Sequence, residues 1–116
     1  MAVARLGRNE LRIAGELIER AALRHTPAGV PVLGLRIRHV SEQVEAGAPR
    51  RVECEIYALA LGPTAQMLAA APLGSVIEAS GFLAAKSLRN AQPVLHVTNI
   101  EFVEGNDNGI QIEETP

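Results

Sequence analysis

A chain of 116 residues is expected to fold as one domain, which buries about two thirds of its unfolded surface without needing a metal or a disulfide. The single cysteine excludes an intrachain disulfide, and no pair of Cys or His residues has the spacing of a metal site. Both observations favour a reducing cytoplasm, and we expect no metal and no cofactor. Because no window approaches the roughly 20 apolar residues of a membrane span, we also expect no membrane contact.

The charge of the chain is unevenly distributed. The net charge of −2 argues against a nucleic-acid binder, but residues 1–100 carry eleven bases against eight acids, whereas the rest has five acids and no base. We therefore expect a basic folded domain over residues 9–105, after a flexible segment of residues 1–8. Residues 106–116 are predicted to form a disordered acidic tail. The alternative is an acidic arm that competes for the protein's own basic face.

Alternation of apolar and polar residues predicts strands in the first half of the chain. Residues 9–17 alternate in this way, although a helix over residues 15–23 remains open. The segment HTPAGVP, residues 25–31, is typical of a hairpin-like connection because it contains two prolines and a glycine. The strand pattern resumes over residues 32–40, and a long polar loop is predicted for residues 41–50.

The second half of the chain predicts one helix among three further strands. Residues 51–61 alternate as a third strand, which would bury Cys54 as an inert core thiol. A helix is predicted over residues 63–71, since proline opens the segment and a second proline follows it. Residues 75–85 and 94–103 are the fourth and fifth predicted strands.

The order of these elements predicts the fold class. Five strands with one short helix between the third and the fourth are typical of an OB-fold, an all-β Greek-key barrel that binds oligonucleotides through its strands and loops. We find no internal repeat and no second domain in the sequence.

Several segments also resemble one known family. NELRIAG, TPAGVPVLGLRIRHVSEQVEAG, RRVECEIYALALG, LGSVIEASGFLAAKS and VLHVTNIEFVEG are similar, in this order, to segments of the primosomal replication protein N (PriB) family. The resemblance implies a homodimer of OB-folds that binds single-stranded DNA. It also implies that the protein assists the PriA helicase, together with other primosome proteins, in restarting replication.

The resemblance further implies where DNA is bound. The family's basic loop between the last two strands corresponds to Lys86 and Arg89 of this chain. At two positions where the family carries aromatic residues, this chain has Ala48 and Glu53. Since single-strand binders combine cations with aromatic platforms, these departures predict weak, salt-sensitive binding that is dominated by phosphate contacts.

Other arginines are candidate phosphate ligands. Arg36 and Arg38 lie two residues apart in the second predicted strand, so they form either a cationic row or a solvated face. Arg50 and Arg51 close the predicted polar loop, and Arg24 lies beside the first turn; all three are further candidates. The remaining arginines, Arg5, Arg8, Arg12 and Arg20, are expected to be ordinary surface charges.

The chain has few aromatic residues that could stack on bases. Tyr57 shares a predicted strand face with Arg51, where it either stacks on a base or has a surface or dimer-contact role. Phe82 and Phe102 are expected in the core. The loop that carries Lys86 has no aromatic neighbour in the sequence, so we expect it to neutralise phosphates without reading bases.

An enzymatic function is not expected. The histidines, Cys54 and Ser80 do not occur in a motif that fixes a nucleophile beside its base, and the Walker, GxGxxG and HExxH motifs are absent from the sequence. The alternative to DNA binding is a protein-interaction adaptor that has kept the OB-fold and has little DNA affinity of its own.

Overall fold

The computed structural model describes residues 7–103. The predicted acidic tail and most of the predicted N-terminal segment therefore lie outside the described residues. The elements in chain order are β1 (Leu11–Arg20), β2 (Arg24–His25), β3 (Pro31–Glu45), β4 (Ala48–Leu61), α1 (Pro63–Ala70), β5 (Val76–Ala85) and β6 (Pro93–Phe102). The five long strands and the helix confirm the predicted OB-fold.

The five long strands close into a barrel. Their order is β1, β5, β6, β4 and β3, and the barrel closes where the second half of β1 pairs with β3. All pairings are antiparallel except that of β4 with β6, which are parallel over residues 58–60 and 95–97. The two-residue strand β2 adds to the free edge of β3 and completes the turn that the HTPAGVP segment predicts.

Alternating side chains of the strands fill the interior of the barrel. The largest fully buried side chains are Leu17, Leu33, Ile37, Leu68, Ile77 and Leu95. The strand β1 begins to pair with β3 directly after Gly15, where a Cβ atom would lie only 2.5 Å from the carbonyl oxygen of Arg38. Glycine is required there because the backbones of β1 and β3 approach too closely for a side chain.

The helix α1 covers one end of the barrel. Pro63 occupies its first turn, where a missing N–H costs nothing, and Leu68 is fully buried against the strands. Arg20 donates a hydrogen bond of 3.2 Å to the carbonyl oxygen of Leu68 and another to that of Ala71. These carbonyls belong to the end of the helix, which favours a cation. The expectation that Arg20 is an ordinary surface charge was therefore wrong.

Residues 41–50 are not a loop, and this prediction was wrong. The strands β3 and β4 continue through them as a hairpin that closes at Ala46 and Gly47. Both residues have positive φ, 53° and 80°, as a two-residue type I′ turn requires. The side chains of this distal hairpin are exposed over most of residues 41–51, so the segment lacks the apolar alternation by which a half-buried strand is recognised.

The helix that the sequence left open over residues 15–23 is not formed, since the predicted strand continues to Arg20 to pair with β3. The expectation of a buried Cys54 was wrong. Cys54 is exposed, although it alternates with apolar neighbours. Cys54 lies on the same face of β4 as buried Ala58, but at Cys54 the strand has left the barrel and leads into the distal hairpin. No core residues cover this face there.

Within the part of the chain that the structure describes, no helix is long and apolar enough to cross a membrane.

Candidate nucleic-acid interface

Tyr57 is at the centre of a cationic cluster on the outer face of the barrel. It lies on β4 directly opposite Arg36 of β3, and both side chains point away from the core. The guanidinium carbon of Arg36 is 4.4 Å from the centroid of the Tyr57 ring, and Arg36 also donates a hydrogen bond to the Tyr57 hydroxyl. Tyr57 remains 41% exposed, so part of its ring is accessible to a ligand.

Lys86 approaches the same ring from the loop between β5 and β6. Its Nζ is 5.2 Å from the ring centroid, which is within the range of a cation–π contact. The base of the loop is closed by a hydrogen bond of 2.9 Å from the Lys86 N–H to the carbonyl oxygen of Gln92. Lys86 has no aromatic neighbour in the sequence of its loop, but it gains one in the fold because the barrel brings the loop over β4.

Tyr57 and Lys86 line an open cavity of about 360 Å³. Leu59 and His96 contribute apolar and aromatic surface to its lining, and Arg24 of the short strand β2 adds a second cation. This volume is within the usual size range of small-ligand pockets. The cavity therefore combines a flat aromatic surface with two cations, which is the chemistry that a base and its phosphates need.

Glutamates neutralise the arginines of the neighbouring strand row. Arg36 forms ion pairs with Glu55 at 3.2 Å and Glu19 at 3.4 Å, while Arg38 forms one with Glu53. The hydrogen bond with Glu55 raises the pKa of Arg36, and the hydrogen bond with Arg38 lowers the pKa of Glu53. This part of the outer face is therefore a mixed row of charges rather than a purely cationic one.

The eight candidate residues do not form a single surface. Arg51 continues the outer row and is 3.5 Å from Glu53, whereas Arg50 points to the other face of the distal hairpin and pairs with Glu45 at 3.2 Å. Arg89 lies in the loop two residues after Ser87, whose hydroxyl accepts its backbone N–H at 3.3 Å. Within residues 7–103, the side chains of Lys86, Arg89 and Arg24 form no ion pair.

Leu59 and His96 line the cavity but were not among the candidate residues. Leu59 lies two residues after Tyr57, so strand alternation places both on one face. His96 lies between the buried residues Leu95 and Val97, and the same alternation directs it outward. Both could have been found from the sequence, but the short parallel pairing of β4 with β6, which brings them together, could not.

The two phenylalanines are not core residues, so this expectation was wrong. Phe82 is 40% exposed and Phe102 is 45% exposed. Phe82 lies directly opposite His96 on the outer face of β5 and β6, and the two rings are stacked with centroids 5.2 Å apart. Phe102 lies two residues after buried Ile100, on the core side of β6 but at the open end of the strand.

Comparisons with known proteins show the family to which this chain is similar. Residues 9–99 match the model of a family described as another single-strand binding protein family. The replication restart protein PriB of Bordetella pertussis is 44% identical over 97 residues, which are 84% of this chain and 91% of the relative.

Solved structures of known proteins are also similar to this chain. The structure of the protein PriB from Ralstonia solanacearum has a TM-score of 0.75 at 36% identity, covering 84% of this chain and all of that one. The single-stranded DNA binding protein from Thermus aquaticus has a TM-score of 0.68 at 25% identity, covering 85% of this chain and 52% of that one.

Proposed function

The chain belongs to the single-strand binding family that includes the bacterial replication restart proteins PriB, and from this premise we propose that it binds single-stranded DNA in the cavity around Tyr57. The observation that carries the proposal is an exposed tyrosine ring that lines one cavity with two cations, Lys86 and Arg24, which form no ion pair among the described residues. In this function the protein acts as an accessory of the replication-restart primosome and assists the PriA helicase.

Each group of the cavity has a defined task in this proposal. A base enters beside Tyr57, on the part of the ring that Arg36 does not cover, and displaces the Lys86 ammonium from it. An exposed cation–π contact is worth only about 0.5–1 kcal/mol, so a phosphate contact of Lys86 offsets its loss. Arg24 and Arg89 neutralise neighbouring phosphates. Stacking on tyrosine is tolerant of sequence, so binding without strong base preference is expected.

The ion pairs of Arg36 and Arg38 with glutamates favour a second candidate function. Because Glu53 and Glu55 neutralise Arg38 and Arg36, the strand face next to the cavity attracts phosphate less than its arginines alone would. A mixed row of charges suits a protein partner, so the second candidate is an interaction adaptor of the primosome with little DNA affinity. Titration of a labelled oligonucleotide at two salt concentrations separates the functions, since a steep salt dependence indicates phosphate binding and no binding at low salt indicates the adaptor.

Replacing Lys86 and Arg89 together by alanine should weaken DNA binding by a similar factor for every sequence. Each lost phosphate contact removes about 0.7 from the slope of log K against log salt for a single strand, so the slope should fall by roughly 1 to 2 units. Fluorescence anisotropy of labelled oligonucleotides over a salt series measures this change. Folding should change by no more than about 0.5 kcal/mol, because both side chains are exposed.

Arg50→Ala is the matched control for this double variant. Arg50 is also an exposed cation, but it points to the other face of the distal hairpin and is paired with Glu45. We expect it to bind DNA as the parent does. If the Lys86/Arg89 variant keeps the affinity and the salt slope of the parent, the loop does not contact phosphate and this part of the proposal is wrong.

We also propose that the protein is a homodimer joined through the first half of β1. Residues 11–13 pair with β5 on one side and, within residues 7–103, with no strand on the other, so this edge can pair with its copy. An interface of standard size should hold at tens of micromolar protein. Sedimentation equilibrium should therefore give twice the chain mass of 12.3 kDa, and a monomer at this concentration would contradict the proposal.

A further inference from the structure

We propose that the stacked pair of Phe82 and His96 is a second base-stacking platform, which extends the DNA path from the Tyr57 cavity across β6 onto β5. The inference rests on the proposed function, since it assumes that single-stranded DNA occupies the Tyr57 cavity. Phe82 remains 40% exposed although its ring stacks on half-buried His96, so the contact within the protein does not account for its exposure.

The platform is continuous with the cavity. His96 lines the cavity on one side and stacks on Phe82 on the other, with an angle of 10° between the two rings. Neighbouring strands lie about 4.8 Å apart, and Tyr57 is two residues, about 7 Å, along β4 from Leu59, which is the residue opposite His96. Tyr57 and Phe82 are therefore separated by roughly 12 Å. At about 3.4 Å per nucleotide, a stacked strand spans this distance with about three to four nucleotides.

The distribution of charge gives the path a direction and an end. Lys86 and Arg24 lie at the cavity end, where they attract phosphate. Beyond Phe82 the outer face continues with the polar pair Ser80 and Asn99 and then with Glu78 directly opposite Glu101. Arg12 pairs with Glu78 at 3.5 Å, but Glu101 forms no ion pair among residues 7–103 and repels a phosphate backbone, so the platform ends at Phe82.

The proposed dimer edge lies one strand away from the platform. The strand β5, which carries Phe82, pairs with β1 on the side opposite to the edge of residues 11–13 that would join the two copies. β1 therefore separates Phe82 from the partner's strand, and Phe82 shares an open cavity with residues 9–12.

Phe82→Leu tests the platform because leucine keeps the apolar bulk and removes the aromatic face. The variant should bind oligothymidylate about tenfold more weakly than the parent, since one stacked base is lost. It should bind an abasic oligonucleotide of the same length as the parent does, because phosphate contacts are unchanged. Phe82→Tyr keeps a ring and should bind both probes like the parent.

Phe102→Leu is the matched control, since it makes the same change at a phenylalanine of similar exposure on the core side of β6. It should not alter binding of either probe. If Phe82→Leu lowers the urea midpoint, His96→Leu is the second variant. It should also weaken the binding of oligothymidylate while leaving the binding of the abasic oligonucleotide unchanged.

The outcomes separate this inference from the proposed function. If the parent binds no oligonucleotide at low salt, both are wrong. If the parent binds and Phe82→Leu matches Phe102→Leu on oligothymidylate, the platform alone is wrong and the Tyr57 cavity stands.

Discussion

Gly81→Ala is expected to destabilise the barrel severely, by about 3 kcal/mol or more, and to leave much of the protein unfolded at 37 °C. An alanine Cβ at this position would lie 1.8 Å from the carbonyl oxygen of His96 and 3.2 Å from the backbone nitrogen of Thr98. Both atoms belong to the backbone of β6 at the bulge beside Ser80, so no side chain can move aside. Urea denaturation followed by circular dichroism measures the loss.

Gly34→Ala is the control for this substitution. A Cβ at Gly34 would have no atom within 4 Å, so the change should alter the free energy of unfolding by less than about 1 kcal/mol. Equal urea midpoints for the two variants would mean that β5 and β6 can separate at the bulge without cost, which contradicts the close approach at Gly81.

Tyr57→Leu is expected to weaken binding of single-stranded DNA about tenfold or more while leaving its salt dependence unchanged. A base stacked on an aromatic side chain contributes about 1–3 kcal/mol, and leucine offers no aromatic face. The cations that meet phosphate remain, so the slope of log K against log salt should stay at the value of the parent. This result differs from that of the Lys86/Arg89 variant, which should change the slope. Anisotropy titrations at several salt concentrations measure both quantities.

Tyr57→Phe provides the control because it keeps the ring and removes only the hydroxyl that accepts a hydrogen bond from Arg36. It should bind DNA nearly as tightly as the parent. If Tyr57→Phe and Tyr57→Leu are equally weak, the hydroxyl contact with Arg36 matters more than stacking, and the assigned role of the ring is wrong.

The strands of the barrel that are buried on one face could be predicted from the sequence. Leu33, Leu35 and Ile37 alternate with Gly34 and Arg36, and such a pattern identifies a half-buried strand. Alternation could not identify the distal hairpin, because both of its faces are exposed. Its Ala46–Gly47 turn also lacks the Asn-Gly signal that is typical of type I′ turns.

The candidate site was predicted in part. Alternation correctly placed Tyr57 on the outer face, and it would have placed Phe82 there too. The expectation of a buried Phe82 relied on hydrophobicity rather than on position in the strand, which is why it was wrong. The contact of Lys86 with Tyr57 joins residues 29 positions apart and depends on how β6 pairs with β4, so local sequence patterns contain no signal for it.

The short parallel pairing of β4 with β6 is a weakly paired junction in the barrel wall, which we call the seam. It joins only residues 58–60 and 95–97, whereas β3 and β4 pair along their whole length. Native-state opening with a low free energy is therefore expected at this seam. A DNA strand lying across Tyr57 and His96 would bind only the closed form, so by mass action it would hold the seam shut. The ligand would then slow amide hydrogen exchange at residues 95–97, making the wall of the barrel more rigid in the complex than in the free protein.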